Sequence, residues 1–297
     1  MLLVKDPPRK ILPRLSTADI VFLLGCAILI VPTLIGVARF SWTTEQGGHG
    51  PIVLATGIWL LLREIKDAKV ERAMPSPWLP AIGIAFFLSV FLIARITGIL
   101  EIEAMAMYGA LLLGIYLLVG GAFMRAIWFP LVYLALVLPP PDTVVAAVTQ
   151  PIKIAISEWA VALLHGLGYP IASSGVNIYI AQFELLVAAA CAGLNSIISL
   201  GAICLFYVYL RHRNNFVAFL LVSLAVIPVA IFSNFVRVIV LILITYYLGE
   251  AAAQGFLHDF AGLLMFSVAL VTIFALDSLY GRIAARRHRP VPLEAAA

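Results

Sequence analysis

FVAFLLVSLAVIPVAIFSNFVRVIVLILITYYL, residues 216–248, holds a single charged side chain, Arg237, in 33 positions. No soluble helix or strand needs so long an apolar run. A bilayer core takes about 20 apolar residues as a helix, and at 1.5 Å per residue this stretch would measure about 50 Å. It therefore predicts one crossing with an extension, a long helix kinked near Pro228 whose second half reaches the outer face.

The rest of the chain has the same character. Of 297 residues, 63% are hydrophobic and 11% charged, with a mean hydropathy of +1.09. A soluble domain carries roughly 25% charged residues, so the chain reads as an integral membrane protein with little mass outside the bilayer. Its long runs predict helices, because a membrane β-barrel would show short alternating segments. Cys26 and Cys204 sit inside apolar runs as small hydrophobes. Three cysteines with no CxxC pair predict neither a disulfide framework nor a zinc site. The basic first 17 residues lead into a full-length span, which predicts no cleaved signal. The final LEAAA is given no function.

The fold expectation is one polytopic all-α membrane domain over 1–297 with about eight transmembrane helices. Five N-terminal spans occupy 18–138: Ala18–Ala38, a short one from Gly50 to about Arg63, Trp78–Leu100, Ala104–Phe123 and Ala126–Leu138, which stops at Pro139-Pro140-Pro141. Three more occupy 191–280, from near Cys191 to Tyr209, from Phe216, and from about Phe260 to Tyr280. With the N-terminus cytoplasmic, inside segments hold Lys5, Arg9, Lys10, Arg14, Arg63, Lys66, Lys69, Arg72, Arg125, Arg211, Arg213, Arg282, Arg286, Arg287 and Arg289. These are 15 of the 19 basic residues, the others being Arg39, Arg95, Lys153 and Arg237. The positive-inside bias then predicts both termini cytoplasmic.

Residues 139–190 form an extracytoplasmic insert on this reading. Asp142–Gly168 predicts a helix or helix pair with Pro151 at a helix start, lying on or dipping into the membrane surface. The β-branched and aromatic residues after Gly175, broken at Ala181-Gln182, predict a small β-hairpin.

Three ionisable groups fall at the outer edge. Ionisable residues at hydrocarbon edges are costly and suggest function. Cys191, in VAAACAGLNS, stands at the predicted start of the sixth span, where a helix dipole favours thiolate. Gly193 permits close approach of a substrate backbone, and Asn195 at i+4 shares the Cys191 face. A buried cysteine among alanines is the plainer alternative. Arg237, with Asn234 at i−3, offers a fixed fork of donors to an oxyanion or carboxylate; the alternative is an arginine snorkelling at the boundary. His258 beside Asp259 suits a general acid/base, or the two simply cap the eighth helix. His49, His165, His212 and His288 are weaker candidates. His49 and Glu45 lie outside, within possible reach of the site, but nothing in the sequence brings them there.

In fixed order, VAAACAGLNS around Cys191, SNFVR ending at Arg237 and HDFAG beginning at His258 make the chain resemble the exosortase/archaeosortase family of multi-pass, transpeptidase-like cysteine enzymes. The family's Cys-Ser-Gly stands here as Cys191-Ala192-Gly193, which removes a hydroxyl; its Asn-x-x-Arg is Asn234 and Arg237, and its His-x-x-x-Gly is His258 and Gly262. The resemblance implies a bacterial inner-membrane thiol protease or transpeptidase with Cys191, Arg237 and His258 catalytic and the site facing the periplasm. It implies membrane-tethered substrate proteins bearing C-terminal sorting tails: a Pro-Glu-Pro-like motif, a transmembrane helix and a basic end. Cleavage through a thioester and transfer to an acceptor or water would follow. No cofactor, metal or nucleic-acid partner is expected.

Three rivals remain from the residues alone. A transporter or lipid-linked polysaccharide handling protein would line a path across the membrane. A non-catalytic scaffold would tolerate loss of the Cys191 thiol. A metal-dependent intramembrane protease would need a ligand motif such as HExxH, which is not present.

Overall fold

The computed structural model describes residues 17–44, 47–70, 75–175, 177–186, 196–249, 251–252 and 256–287. Among these the elements run α1 (Thr17–Phe40), α2 (Gly50–Asp67), α3 (Trp78–Thr97), α4 (Leu100–Ala126), α5 (Trp128–Ala135), α6 (Asp142–Gly166), β1 (Ile171–Ser174), β2 (Asn177–Ile180), β3 (Phe183–Leu186), α7 (Ser196–His212), α8 (Phe216–Leu248) and α9 (Phe256–Arg287). The fold is an all-α membrane protein with a small strand insert.

Six of the described helices are long and apolar enough to cross a membrane: α1, α3, α4, α6, α8 and α9. Five of these coincide with expected spans. The expected second, fifth and sixth spans correspond to shorter or more polar helices. α2 ends in Arg63, Glu64, Lys66 and Asp67, and α7 is described over 17 residues. α5 has eight, bounded by a non-helical Ile127 and by Leu136, and α4 before it is itself kinked at Gly120 (φ 77°, ψ 168°). Gly120 sits where only glycine adopts the backbone without strain. Apolar side chains such as Val21, Phe22, Leu24, Ile28, Phe86 and Ile96 stay exposed along the spanning helices. A soluble protein would not leave so much apolar surface bare, and lipid is the medium that accepts it.

α8 organises the C-terminal half. Its buried stripe runs Val222, Val226, Val229, Ala230, Ser233, Asn234, Arg237, Val238, Leu241, Ile242 and Thr245, one helical face over almost the whole length. The first part of that stripe packs with Leu200, Cys204 and Val208 of α7 and Ala269 and Ile273 of α9. The last part, Val238 and Ile242, packs instead with Ile156, Ala160 and Leu164 of α6 and Ile171, Ile178 and Ile180 of the sheet. The two parts of the stripe thus have different neighbours along one helix. The helical backbone runs on through Pro228.

The insert differs from expectation in two ways. α6 is a single helix, one of the two forms expected, but Pro151 lies inside it and not at a helix start. A proline lacks the N–H for the bond to residue i−4, but Ile156, Ala160 and Leu164 beyond it are buried and anchor the helix. The strands form a three-stranded antiparallel meander, β1-β2-β3, in place of a two-stranded hairpin. Ala181-Gln182 is the turn between β2 and β3, with Ala181 at φ 50°. β1 pairs Ile171 with Ile180 and Ser174 with Asn177 across the turn that begins at Gly175 (φ 60°). Alternation puts Ile178 and Ile180 in the core and Tyr179 outside.

α7 joins the two halves. One side meets α8 and α9; the other, through Ala202 and Tyr209, meets Val53 and Leu60 of α2 and Phe129, Tyr133 and Val137. Phe129 and Tyr209 stack with ring centroids 3.8 Å apart. α1, α3 and α4 form a further layer around Phe91, Ala106 and Met107.

Candidate functional site

α7 and α9 run parallel, because Tyr207 near the end of α7 donates to Asp277 Oδ2 near the end of α9 at 2.7 Å, and His212 joins the same carboxylate. α8 runs antiparallel to α7, joined to it through residues 213–215, and packs against both α7 and α9 through Val222, Val226, Val229 and Ala230. The start of α7, the start of α9 and the second half of α8 therefore lie at one end of the bundle, opposite Asp277.

Arg237 and Asn234 are on α8 at that end. They sit between the part of the stripe held by α7 and α9 and the part held by α6 and the sheet. Arg237 is 3% exposed, and Ser233 and Asn234 are fully buried. The snorkelling alternative for Arg237 fails on this number, since a boundary arginine reaches out to water or headgroups. A guanidinium taken out of solvent costs several kcal/mol unless it is paired and hydrogen-bonded; Arg237 and Asn234 both have interaction partners. His258 and Asp259 are the third and fourth residues of α9, inside its first turn instead of ahead of it. Cys191, Gly193 and Asn195 lie outside the described residues. In sequence Cys191 precedes the first residue of α7 by five positions.

Four polar contacts at this end escaped the sequence. His49, just before α2, is buried. Its Nε2 lies 3.0 Å from the Leu136 carbonyl oxygen, and its Nδ1 lies 3.0 Å from Ser199 Oγ on α7. Glu103, near the start of α4, is 7% exposed; it accepts from Thr33 Oγ1 at 2.7 Å and from Arg95 at 2.8 Å. Arg95 had stood out as one of four basic residues off the inside face. Its carboxylate partner eight residues on was the available signal, because α3 and α4 are joined by a tight turn at Gly98 (φ 74°) that brings their ends together.

His49, Arg95, Glu103 and Leu136 line a cavity of about 920 Å³. Its wall is built from Pro32, Gly36 and Phe40 of α1, Arg95 and Glu103 at the α3–α4 turn, and the segment from Leu136 to Pro140, with His49 at one side. The volume is that of a ligand site, generally about 300–1,000 Å³.

The opposite end is locked by charge. Asp277, 6% exposed, gathers Tyr207, His212 and Arg211, and Arg213 bridges the buried Glu64 at 2.8 Å and Asp67 at 3.1 Å. These pairs tie α2, α7 and α9 together where the basic loops lie. No cluster of three or more metal-ligating side chains occurs among the described residues.

No curated protein and no solved structure matches the chain. The sequence model described as Transmembrane exosortase (Exosortase_EpsH) matches residues 42–275, most of its length.

Proposed function

This chain belongs to the transmembrane exosortase family, and on that premise we propose that it is a membrane cysteine protease/transpeptidase acting on C-terminal sorting tails. Its substrates are exported proteins whose C-terminal tail has a Pro-Glu-Pro-like motif, one transmembrane helix and a basic end. The chain sits in a bacterial inner membrane with both termini cytoplasmic and the site facing the periplasm.

In this reading the Cys191 thiolate attacks the scissile carbonyl near the motif. Arg237 holds the oxyanion that forms. His258 gives its proton to the leaving amine, and the tail departs with a new N-terminus. The substrate remains as a thioester on Cys191. Water or an acceptor nucleophile then attacks that thioester, His258 takes the incoming proton, and Cys191 leaves as the thiolate. Asn234, Asn195, Gly193 and Asp259 support these groups.

The single observation that carries the reading is Arg237: an arginine 3% exposed, beside a fully buried Asn234, at the bundle end where α7 and α9 begin. An always-charged fork kept from solvent is what stabilisation of an anion requires.

The test is co-expression with a candidate substrate in two forms, with and without its tail, followed by mass spectrometry of the exported product. Tail removal that depends on this chain is expected. A tailed substrate that stays intact whenever the chain is present and folded overturns the reading.

Orientation has its own test. Ser174, exposed at the end of β1, replaced by cysteine should react with an impermeant thiol reagent added from the periplasmic side. Labelling only from the cytoplasm would invert the topology and remove the periplasmic site.

A further inference from the structure

His49 is joined to two segments far along the chain, Leu136 at the end of α5 and Ser199 on α7, the latter 150 residues away. Both residues are buried, His49 at 8% and Ser199 at 7% exposure. The Leu136 carbonyl can only accept, so Nε2 carries the proton. In the neutral ring Nδ1 is then an acceptor, and Ser199 donates to it. The tautomer is fixed by the contacts.

The backbone carrying His49 is pinned as well. A Cβ on Gly47 would come within 2.3 Å of Ser41 O, and a Cβ on Gly50 within 2.0 Å of Trp42 Nε1. Both glycines allow the turn to press against the end of α1, leaving His49 little room to shift.

The three segments do not need His49 to stay together. Val53, Val137 and Ala202, each within a turn of His49, Leu136 and Ser199, already pack in one apolar cluster. Apolar packing gives cohesion without direction. A hydrogen-bonded ring with a fixed tautomer gives direction, and buried polar networks of this kind set geometry more than they add stability. His49 also lines the 920 Å³ cavity, so one imidazole connects a ligand-sized space to the helix that Cys191 precedes in sequence.

We infer that His49 is a positioning residue of the site, setting the rotation and height of α7 against the cavity wall through Ser199. This rests on the tail-processing reading. Displacing a reactive group by about 1 Å costs on the order of 100-fold in rate.

The experiment measures steady-state tail removal by the full chain in reconstituted membranes with a short tailed peptide. It compares wild type, His49→Gln, Ser199→Ala, the double variant and His49→Asn. Gln reaches the Leu136 carbonyl but gives up the Ser199 contact; Asn places an acceptor near the Nδ1 position and keeps it. His49→Gln and Ser199→Ala should each lower kcat about ten- to a hundredfold with KM changed less than about twofold. The double variant should be no worse than the singles, because both remove one contact. His49→Asn should recover most of the rate, and thermal midpoints should stay near wild type.

Normal kcat in folded His49→Gln, losses that multiply in the double variant, or a lowered midpoint with normal turnover would each overturn the role of His49 and leave the processing reading standing. Wild type that removes no tail would sink the processing reading, and this inference with it.

Discussion

Cys191→Ala is expected to abolish tail removal while the protein still accumulates, folded, in the membrane. The proposed reaction runs through a thioester, and alanine offers no atom to form one. Removing a nucleophile that works as part of a unit costs on the order of 10⁴- to 10⁶-fold, the remainder coming from binding and charge stabilisation alone. Folding should survive, because the large apolar clusters around α7 are built from Leu200, Cys204 and Val208 on one side and Ala202 and Tyr209 on the other. The measurement is product formation per folded protein, with a covalent substrate adduct sought in wild type and missing in the variant. Full retention of processing would remove the thiol from the mechanism and favour a scaffold or a transporter.

The second large effect separates Arg237 from His258. Arg237→Lys keeps the positive charge at a position 3% exposed, so the interior does not gain a group whose partner has lost its charge. What is lost is the planar fork. If the fork holds the developing oxyanion, turnover should fall about 100- to 1000-fold while tail capture persists. His258→Ala should also spare capture, but its defect should vary with pH, since an imidazole acting as acid and base titrates near neutrality. Capture and product followed together in reconstituted membranes check both. Normal processing by Arg237→Lys with tail binding lost in His258→Ala would reverse the roles. Equal loss of folded protein in both would make the two residues structural ties between α8 and α9.

Which of these groups the sequence could point to follows from how each is held. Arg237 and Asn234 were legible because they break a long apolar run, and their i−3 spacing puts them on one face of α8 whatever the helix packs against. That this face is the buried one was not legible. Hydropathy around Arg237 is nearly uniform, so no apolar moment distinguishes a lipid-facing side from a protein-facing side. The stripe Val222–Thr245 becomes visible only when α7, α9, α6 and the sheet cover it. β1 was missed for a related reason: IASS has no alternation or aromatic residue to mark a strand, and its pairing with β2 supplies the order.

By itself, the sequence determined the membrane class, the helical content, the family and α8 as a helix long and apolar enough to cross a membrane. Those rest on composition and local periodicity, which each segment carries alone. Tertiary structure alone decided that Arg237 is buried, that Arg95 and Thr33 share the Glu103 carboxylate, and that His49 reaches Ser199 across 150 residues. A lone polar residue in an apolar chain has many possible partners, and which one it meets depends on the helices that pack to exclude lipid around it. The directional contact is chosen last, by the geometry that the non-directional packing leaves.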